Sequence, residues 1–252
     1  MRPLLATLMM AGALLGAASP APAEDVKLVM AGAAIPKVFE PGKGGPYNAF
    51  YDDVVAKAPV QLDMVMLPVK RLARSFFEKQ VDCMYMATDD KTFYIQNGVP
   101  LETLTVAKPF NRLFMRAYSR PGGTPPGNWA AFDGKLIAGD EGIHVSTIAQ
   151  RTLPFAKSML YTKSVDEAFE LLAAGRVDVA IAYSIDARQY FTRAQKPAFP
   201  ADKSFSLLTL GEGVTCWPSL EASKLVEYLD AVVERLHADG TLLSRYGFEL
   251  HD

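Results

Sequence analysis

The sequence predicts an α/β protein of two lobes with a cleft between them, on three observations. A pattern of amphipathic helix, tight turn with a Val-Asp pair and short apolar strand occurs twice, over residues 69–86 and 165–182. Predicted strands alternate with predicted helices along the chain, which is typical of α/β layers. The Pro- and Gly-rich segment 120–127 separates the two copies and is the richest turn cluster in the chain. A groove between two such lobes is a natural binding place for a small molecule.

Residues 1–23 are predicted to be a cleaved signal peptide. Arg2 is followed by a short apolar run over 4–18 and by the small-residue cleavage site Ala21-Pro22-Ala23. The run is too short to span a membrane comfortably, and polar chain follows it, so an uncleaved anchor is the less favoured alternative. We therefore expect an exported protein that functions in the periplasm.

Charge and motif content exclude several classes of function. The 26 basic and 28 acidic residues nearly balance and include no long basic run, which argues against nucleic-acid partners. The three histidines are scattered and no nucleophile-elbow or Walker motif occurs, so we expect no metal site, no cofactor and no enzyme activity. Cys83 and Cys216 lie in apolar stretches, and two alternatives stay open for them: a disulfide or two buried thiols.

The first lobe is predicted to take residues 24–112, its N-terminal part, and to be completed by residues 205–252. Its predicted strands cover 26–31, 60–67, 83–86 and 104–107, and its predicted helices 47–58 and 69–77. The returning segment is predicted to contain strands over 205–210 and 213–217 and helices over 225–236 and 242–246. Asp239-Gly240 ends the longer of these helices.

The second lobe is predicted to take residues 113–204. An extended stretch over 112–118 leads into it, and its strands are predicted over 136–138, 159–161 and 179–182. Helices are predicted over 145–153, 165–172 and 186–191, with Pro154 stopping the first of them.

The order of several short motifs resembles one known family. Gly-Pro-Tyr at 45–47, Pro-Val-Lys-Arg at 68–71, Val-Asp-Cys-Met at 81–84, Gly-Arg-Val-Asp-Val-Ala at 175–180 and Ala-Asp-Gly-Thr-Leu at 238–242 occur in its order. The chain resembles periplasmic solute-binding proteins that serve amino-acid ABC transporters, bacterial family 3. The resemblance implies the type II fold, in which two lobes joined by two extended strands close on a ligand. It also implies a small-molecule ligand, an inner-membrane ABC permease as partner, and a monomer.

The resemblance also suggests where a ligand binds. Its usual binding segments correspond here to Phe39, Tyr47, Ala87, Asp89, Gly142, Ser146 and Tyr183. From the residues themselves, Tyr94 can stack on a ligand, Arg112 can point from the extended stretch into the cleft, and His144 lies in the same loop as Gly142.

Two departures from the family pattern concern the ligand's charge. The position where relatives carry an arginine for the ligand's α-carboxylate is Tyr94 here, and the aspartate that holds the ammonium is replaced by Tyr183. Each charge-assisted bond contributes about 1.5–3 kcal/mol, so their loss predicts that ordinary zwitterionic amino acids are not the ligand. A neutral, aromatic or partly apolar solute fits best, and a small organic anion at the Gly142 loop stays open.

Two other functions stay open as alternatives. One is an enzyme on the same scaffold, of the cyclohexadienyl dehydratase type, with Asp89, Asp90 or His144 as candidate acid or base. The other is a periplasmic binding protein without its own permease, such as a sensor module or an accessory to an oxidoreductase.

Overall fold

The computed structural model describes residues 27–35, 38–40, 42–141, 148–149, 152 and 154–250. The predicted signal peptide lies outside the described residues, as do Gly142, His144 and Ser146. Of the helix predicted over 145–153, only residues 148, 149 and 152 are described, and these are helical.

Among the described residues, nine strands form one sheet in the order β2-β1-β3-β9-β5-β8-β6-β7, with β4 paired to β9. The strands are β1 (Leu28–Ala33), β2 (Leu62–Leu67), β3 (Cys83–Thr88), β4 (Thr105–Val106), β5 (Asn111–Tyr118), β6 (Leu136–Asp140), β7 (Ser158–Thr162), β8 (Val179–Tyr183) and β9 (Leu208–Cys216). As predicted, β3 and β8 are apolar strands that are largely buried on both faces.

Two parallel groups of strands are joined by two long antiparallel ones. Strands β1, β2 and β3 are parallel and form the base of lobe 1, and β6, β7 and β8 are parallel and form the base of lobe 2. Strand β9 pairs antiparallel with β3, and β5 pairs with β9 through residues 111–115 and with β8 through residues 115–118. Strands β5 and β9 therefore connect the lobes. The predicted boundaries at 112/113 and 204/205 fall within β5 and shortly before β9, and they stay a prediction.

Helices cover the sheet as the apolar periodicity predicts. They are α1 (Pro46–Asp53), α2 (Val69–Phe77), α3 (Lys91–Gln96), α4 (Val165–Ala173), α5 (Ser184–Ala194), α6 (Leu220–Ala238) and α7 (Thr241–Tyr246). The two repeated helices, α2 and α4, bury their predicted apolar faces, which include Leu72, Phe76, Phe169 and Leu172. The sequence did not predict α3, because its first turn is polar. The Asp90 side chain caps it by accepting a hydrogen bond from Thr92 N at 2.9 Å.

Two predictions of secondary structure are wrong in detail. The strands predicted over 205–210 and 213–217 are the single strand β9, because Gly211 and Gly213 sit in continuous pairing with neighbouring strands instead of forming a turn. The helix predicted over 47–58 ends at Asp53 and is followed by a separate 3-10 turn, Val55–Lys57.

A disulfide between Cys83 and Cys216 ties β3 to β9. The two residues lie directly opposite each other in the antiparallel ladder, with their Cα atoms 4.0 Å apart. Both are fully buried, so the bridge lies inside the core of lobe 1. Of the two alternatives for the cysteines, the structure has the disulfide.

Aromatic side chains fill the core of lobe 1 next to the connecting strands. The ring of Phe110, which directly precedes β5, contacts Phe50 of α1, Tyr85 of β3 and Phe248, at centroid distances of 4.6, 5.5 and 5.4 Å. Phe248 follows α7, so the end of the described chain packs into lobe 1. The start of β5 is thereby held on one side by buried rings.

Candidate functional site

The carboxyl ends of the parallel strands mark the expected binding region. In open α/β sheets, ligands bind in the crevice outside these ends. In lobe 1, Asp89 follows β3, and in lobe 2, Asp140 ends β6 and Tyr183 ends β8. The connecting strands β5 and β9 lie between β3 and β8 in the sheet.

The end of β3 has an irregular backbone that positions Asp89. Its register against β9 shifts between Tyr85 and Ala87, and Met86 between them has φ 62°, a left-handed conformation that non-glycine residues rarely adopt. Beyond this bulge, Asp89 N donates to Gly211 O at 3.0 Å, and Asp89 Oδ1 accepts from Gly211 N at 2.7 Å. The carboxylate of Asp89 is thus fixed to β9.

Arg112 of β5 is the cation next to this carboxylate. Its Nη1 lies 3.8 Å from Asp89 Oδ2, and the two side chains are 38% and 39% exposed. The sequence predicted both as site residues, and the structure brings them together at the start of β5. Because both remain partly open to solvent, the pair is accessible to a small molecule.

Replacing Gly211 by alanine is expected to displace Asp89. A Cβ atom at Gly211 would lie 2.3 Å from Asp89 Oδ2 and 3.1 Å from Pro109 Cβ, so the carboxylate must leave its place. We expect a loss of about 1–3 kcal/mol in the free energy of unfolding, measured by urea denaturation. Gly44→Ala is the matched control, because a Cβ there meets no atom within 4 Å. Equal stability of the two variants would contradict the assigned contact.

A second carboxylate, Glu212 on β9, is buried and follows Gly211 in the strand. The Tyr47 hydroxyl donates to Glu212 Oε2, and Asn111 Nδ2 donates to the same oxygen at 2.9 Å and to Tyr47 Oη at 2.8 Å. Asn111 Oδ1 accepts from Glu249 N at 3.0 Å. This buried network joins α1, both connecting strands and the C-terminal segment.

Burial and neighbouring acids raise the pKa values of this region. Burial raises the pKa of Glu212 to about 7; its hydrogen bonds from Tyr47 and Asn111 oppose this, and Asp186 adds to it. Burial, and to a smaller extent nearby Asp140, raises the pKa of Asp186 to about 6. The pKa of the Tyr183 hydroxyl is also raised, first by burial and then by Glu212 and Asp186. Glu212 on the connecting strand β9 is therefore electrostatically coupled to Asp186 of lobe 2.

The other site residues predicted from sequence lie in the core. Phe39, Ala87 and Tyr94 are buried, and Phe39 packs edge-on against Tyr85 at 5.1 Å. The Tyr94 hydroxyl donates to Thr88 O at 2.8 Å and lies 3.2 Å from Thr215 Oγ1, so its polar group is satisfied inside lobe 1. The family resemblance assigns this position to an arginine, but in this structure Tyr94 packs in the core of lobe 1. The roles of these residues toward a ligand stay predictions.

Sequence reasoning did not select Glu212, Asn111 or Asp186. One signal for Glu212 was present: the segment Gly211-Glu212-Gly213 interrupts apolar residues with an acid between two glycines. Glycine inside a strand indicates a bulge or a close backbone approach, and an acid there needs partners when the strand is buried.

Searches for other kinds of site add two observations. In the part of the chain that the structure describes, no group of three or more His, Cys, Asp or Glu side chains is placed to hold a metal ion. Across those same residues, no helix combines the length and the apolar character needed to cross a membrane.

Comparison with known proteins supports the fold. No protein-family model matches the chain, and no curated protein matches it. The solved L-cystine solute receptor of Neisseria gonorrhoeae, in its unliganded open conformation, is similar in structure. It has 11% sequence identity and a TM-score of 0.65, with 91% of this chain and 96% of that chain covered.

Two further solved structures are similar to this chain. A histidine kinase sensor domain with similarity to periplasmic binding proteins is 14% identical with a TM-score of 0.62, covering 90% of this chain and 98% of that chain. The ancestral amino acid-binding protein AncCDT-1, a precursor of cyclohexadienyl dehydratase, is 15% identical with a TM-score of 0.57, covering 88% and 95%. The chain therefore has the two-lobed α/β fold of periplasmic binding proteins, with a hinge and a cleft between the lobes.

Proposed function

We propose that the protein captures a small solute in the cleft between its lobes and closes on it. One observation carries the proposal: partly exposed Asp89 and Arg112 pair with each other where β3 ends against the connecting strands. Polar groups held in place at such a position can contact a ligand from two lobes at once. Closure then follows as a population shift, because the closed form offers contacts that the open form lacks.

The solute proposed is not an ordinary zwitterionic amino acid. The position of the usual arginine is taken by Tyr94, which is buried in lobe 1. Arg112 is the arginine next to the end of β3, and it already faces the Asp89 carboxylate. A ligand carboxylate would have to compete with Asp89 for Arg112, which favours solutes without an α-carboxylate.

We further propose that the protein functions in the periplasm as a monomer and delivers its solute to an inner-membrane ABC permease. The proposal rests on the sequence features of an export signal and on the family resemblance. A bacterial strain lacking the protein should lose uptake of the solute, and restoring the gene should restore uptake.

Thermal unfolding against a ligand panel tests the binding function. The panel contains amino acids, aromatic acids, polyols, organic anions and amines. A ligand at 100 times its Kd stabilises the folded protein by about 2.7 kcal/mol, which raises Tm by several degrees. We expect a saturable shift from a compound that is not a standard amino acid, with compaction in small-angle scattering. A saturable shift from an ordinary amino acid would contradict the proposed ligand class.

An enzyme is a second candidate, and the buried carboxylate Glu212 specifically favours it. A carboxyl group with a pKa of about 7 is suited to general acid–base catalysis near neutral pH. Incubation with prephenate or arogenate, followed by ultraviolet absorbance, tests this candidate. Turnover that Glu212→Gln abolishes would favour the enzyme, and unchanged absorbance would favour binding alone.

A further inference from the structure

Among the described residues, the buried carboxyl group of Glu212 on the connecting strand β9 has no cationic partner. Glu212 is only 8% exposed, and its partners Tyr47 and Asn111 are neutral hydrogen-bond donors. Arg112 faces Asp89 at 3.8 Å. Arg193 attracts Asp186, but its own Nη2 is 2.7 Å from Asp166 Oδ1. A buried carboxylate without a cationic partner is costly, so Glu212 either takes up a proton or gains positive charge from a bound molecule.

One oxygen of Glu212 is open to such a partner. Both hydrogen bonds to the carboxylate end on Oε2, and Oε1 accepts none from the described residues. Among those residues, the Ser206 hydroxyl is the only fully buried side-chain polar atom without a partner. Oε1 therefore keeps some solvent-accessible surface, although Glu212 as a whole is only 8% exposed. The Tyr47 hydroxyl and the Asn111 amide hold the carboxylate in a defined position, so its free oxygen is ready to accept a hydrogen bond.

We infer that the solute carries a positively charged nitrogen, an ammonium or guanidinium group, which binds Glu212 Oε1 and lies between Glu212 and Asp186. The inference rests on the proposed solute-binding function and names the chemical class of the ligand. It differs from the usual arrangement for amino acids, because the anchor is an acid on the connecting strand β9. A cation held there contacts β9 and lobe 2 together, which links binding to the relative position of the lobes.

Binding of a cation must then compete with binding of a proton. Below about pH 7 the Glu212 carboxyl is protonated, so the cation displaces that proton on binding. The titratable groups around Glu212 are Tyr47 on α1, Tyr85 on β3, Tyr183 on β8 and Asp186 on α5. Of these groups, Asp186 has a pKa of about 6, so it also loses its proton between pH 5 and 8. Its negative charge then further strengthens the binding of a cation. Affinity for a cation is therefore expected to rise with pH from 5 to 8.

Calorimetry with matched probes tests the inference. The probes are agmatine and phenethylamine as cations, 3-phenylpropionate as an anion and 2-phenylethanol as a neutral compound. We expect saturable binding of at least one amine, with proton release at pH 6 and at least tenfold weaker binding to Glu212→Gln. Asp186→Asn is the second variant, with the same expected direction. Glu234→Gln is the control, because Glu234 lies exposed on α6 and pairs with Lys108.

A small-molecule extract distinguishes a failure of the cationic-ligand inference from a failure of the proposed solute binding. A deproteinised bacterial extract is passed over a cation-exchange resin, and both fractions are tested for raising Tm. Stabilisation by the retained fraction, lost in Glu212→Gln, supports the inference. Stabilisation by the unretained fraction alone, or binding of only the anionic or neutral probe, overturns the cationic ligand but leaves solute binding intact. No stabilisation by extract or probes overturns both.

Discussion

Replacing Cys83 and Cys216 together by alanine is expected to lower the free energy of unfolding by about 5 kcal/mol. The disulfide joins residues 133 positions apart, and in the chain-entropy model so long a loop strongly restricts the unfolded chain. Both cysteines are fully buried, so the variant also loses packing in the core. Urea denaturation of the oxidised wild type and of the double variant measures the difference.

The disulfide joins β3 to the connecting strand β9, so this prediction also concerns the hinge between the lobes. Cys216 ends β9, and Glu212 lies four residues earlier on the same strand. Wild-type protein unfolded and measured in reductant is the control, and it should approach the stability of the double variant. A difference below about 1 kcal/mol between oxidised wild type and double variant would contradict a structural role for the disulfide.

Glu212→Gln is expected to remove a pH dependence of stability that the wild type has. The pKa of Glu212 is about 7 in the folded protein and near the ordinary value of 4.5 in the unfolded chain. The folded state therefore holds the proton more tightly, and this contribution is complete below about pH 4.5 and lost as the pH rises through 7. The wild type should lose about 3 kcal/mol of unfolding free energy, relative to the variant, between pH 4.5 and 8.

Unfolding free energies measured at half-unit pH intervals for both proteins test this prediction. Asp186, whose pKa is raised to about 6, contributes in the same direction, so the wild-type curve should also flatten partly in Asp186→Asn. Glu234→Gln should follow the wild-type curve. Parallel curves for wild type and Glu212→Gln would mean that the buried carboxylate is ionised without cost. The inference of a cationic solute would then lose its physical basis, which is the free-energy cost of ionising the buried carboxyl group.

Most of the fold was predictable from local patterns. The repeated helix and strand units are confirmed, because their apolar spacing reflects burial that acts on neighbouring residues in the chain. Helix α3 was missed because its start depends on one Asp90 cap, not on an apolar stripe. Strand β9 was divided in two because its glycines are typical of turns. In the fold they serve a close approach of β9 to Asp89 and to Ala107.

The site was less predictable, because its residues come from distant parts of the chain. Asp89 and Arg112 were selected from sequence and lie together. Tyr94 was assigned to the position of the relatives' arginine, but the bulge at Met86 precedes it and Tyr94 itself lies within helix α3, facing the core. Glu212 is 165 residues from its partner Tyr47 and 101 from Asn111, so local spacing carried no sign of their contact.

By itself, the sequence determined the alternation of strands and helices, the two repeated units and their order, because these follow from the periodic burial of nearby side chains. Only the tertiary structure decided that Cys83 and Cys216 pair, that β5 and β9 lie side by side, and that an acid is buried between the lobes. These features depend on pairing between strands about a hundred residues apart, which is set by the packing of the whole sheet. The free-energy cost of burying the Glu212 carboxylate arises from that packing, and so does its proposed ability to bind a cationic solute.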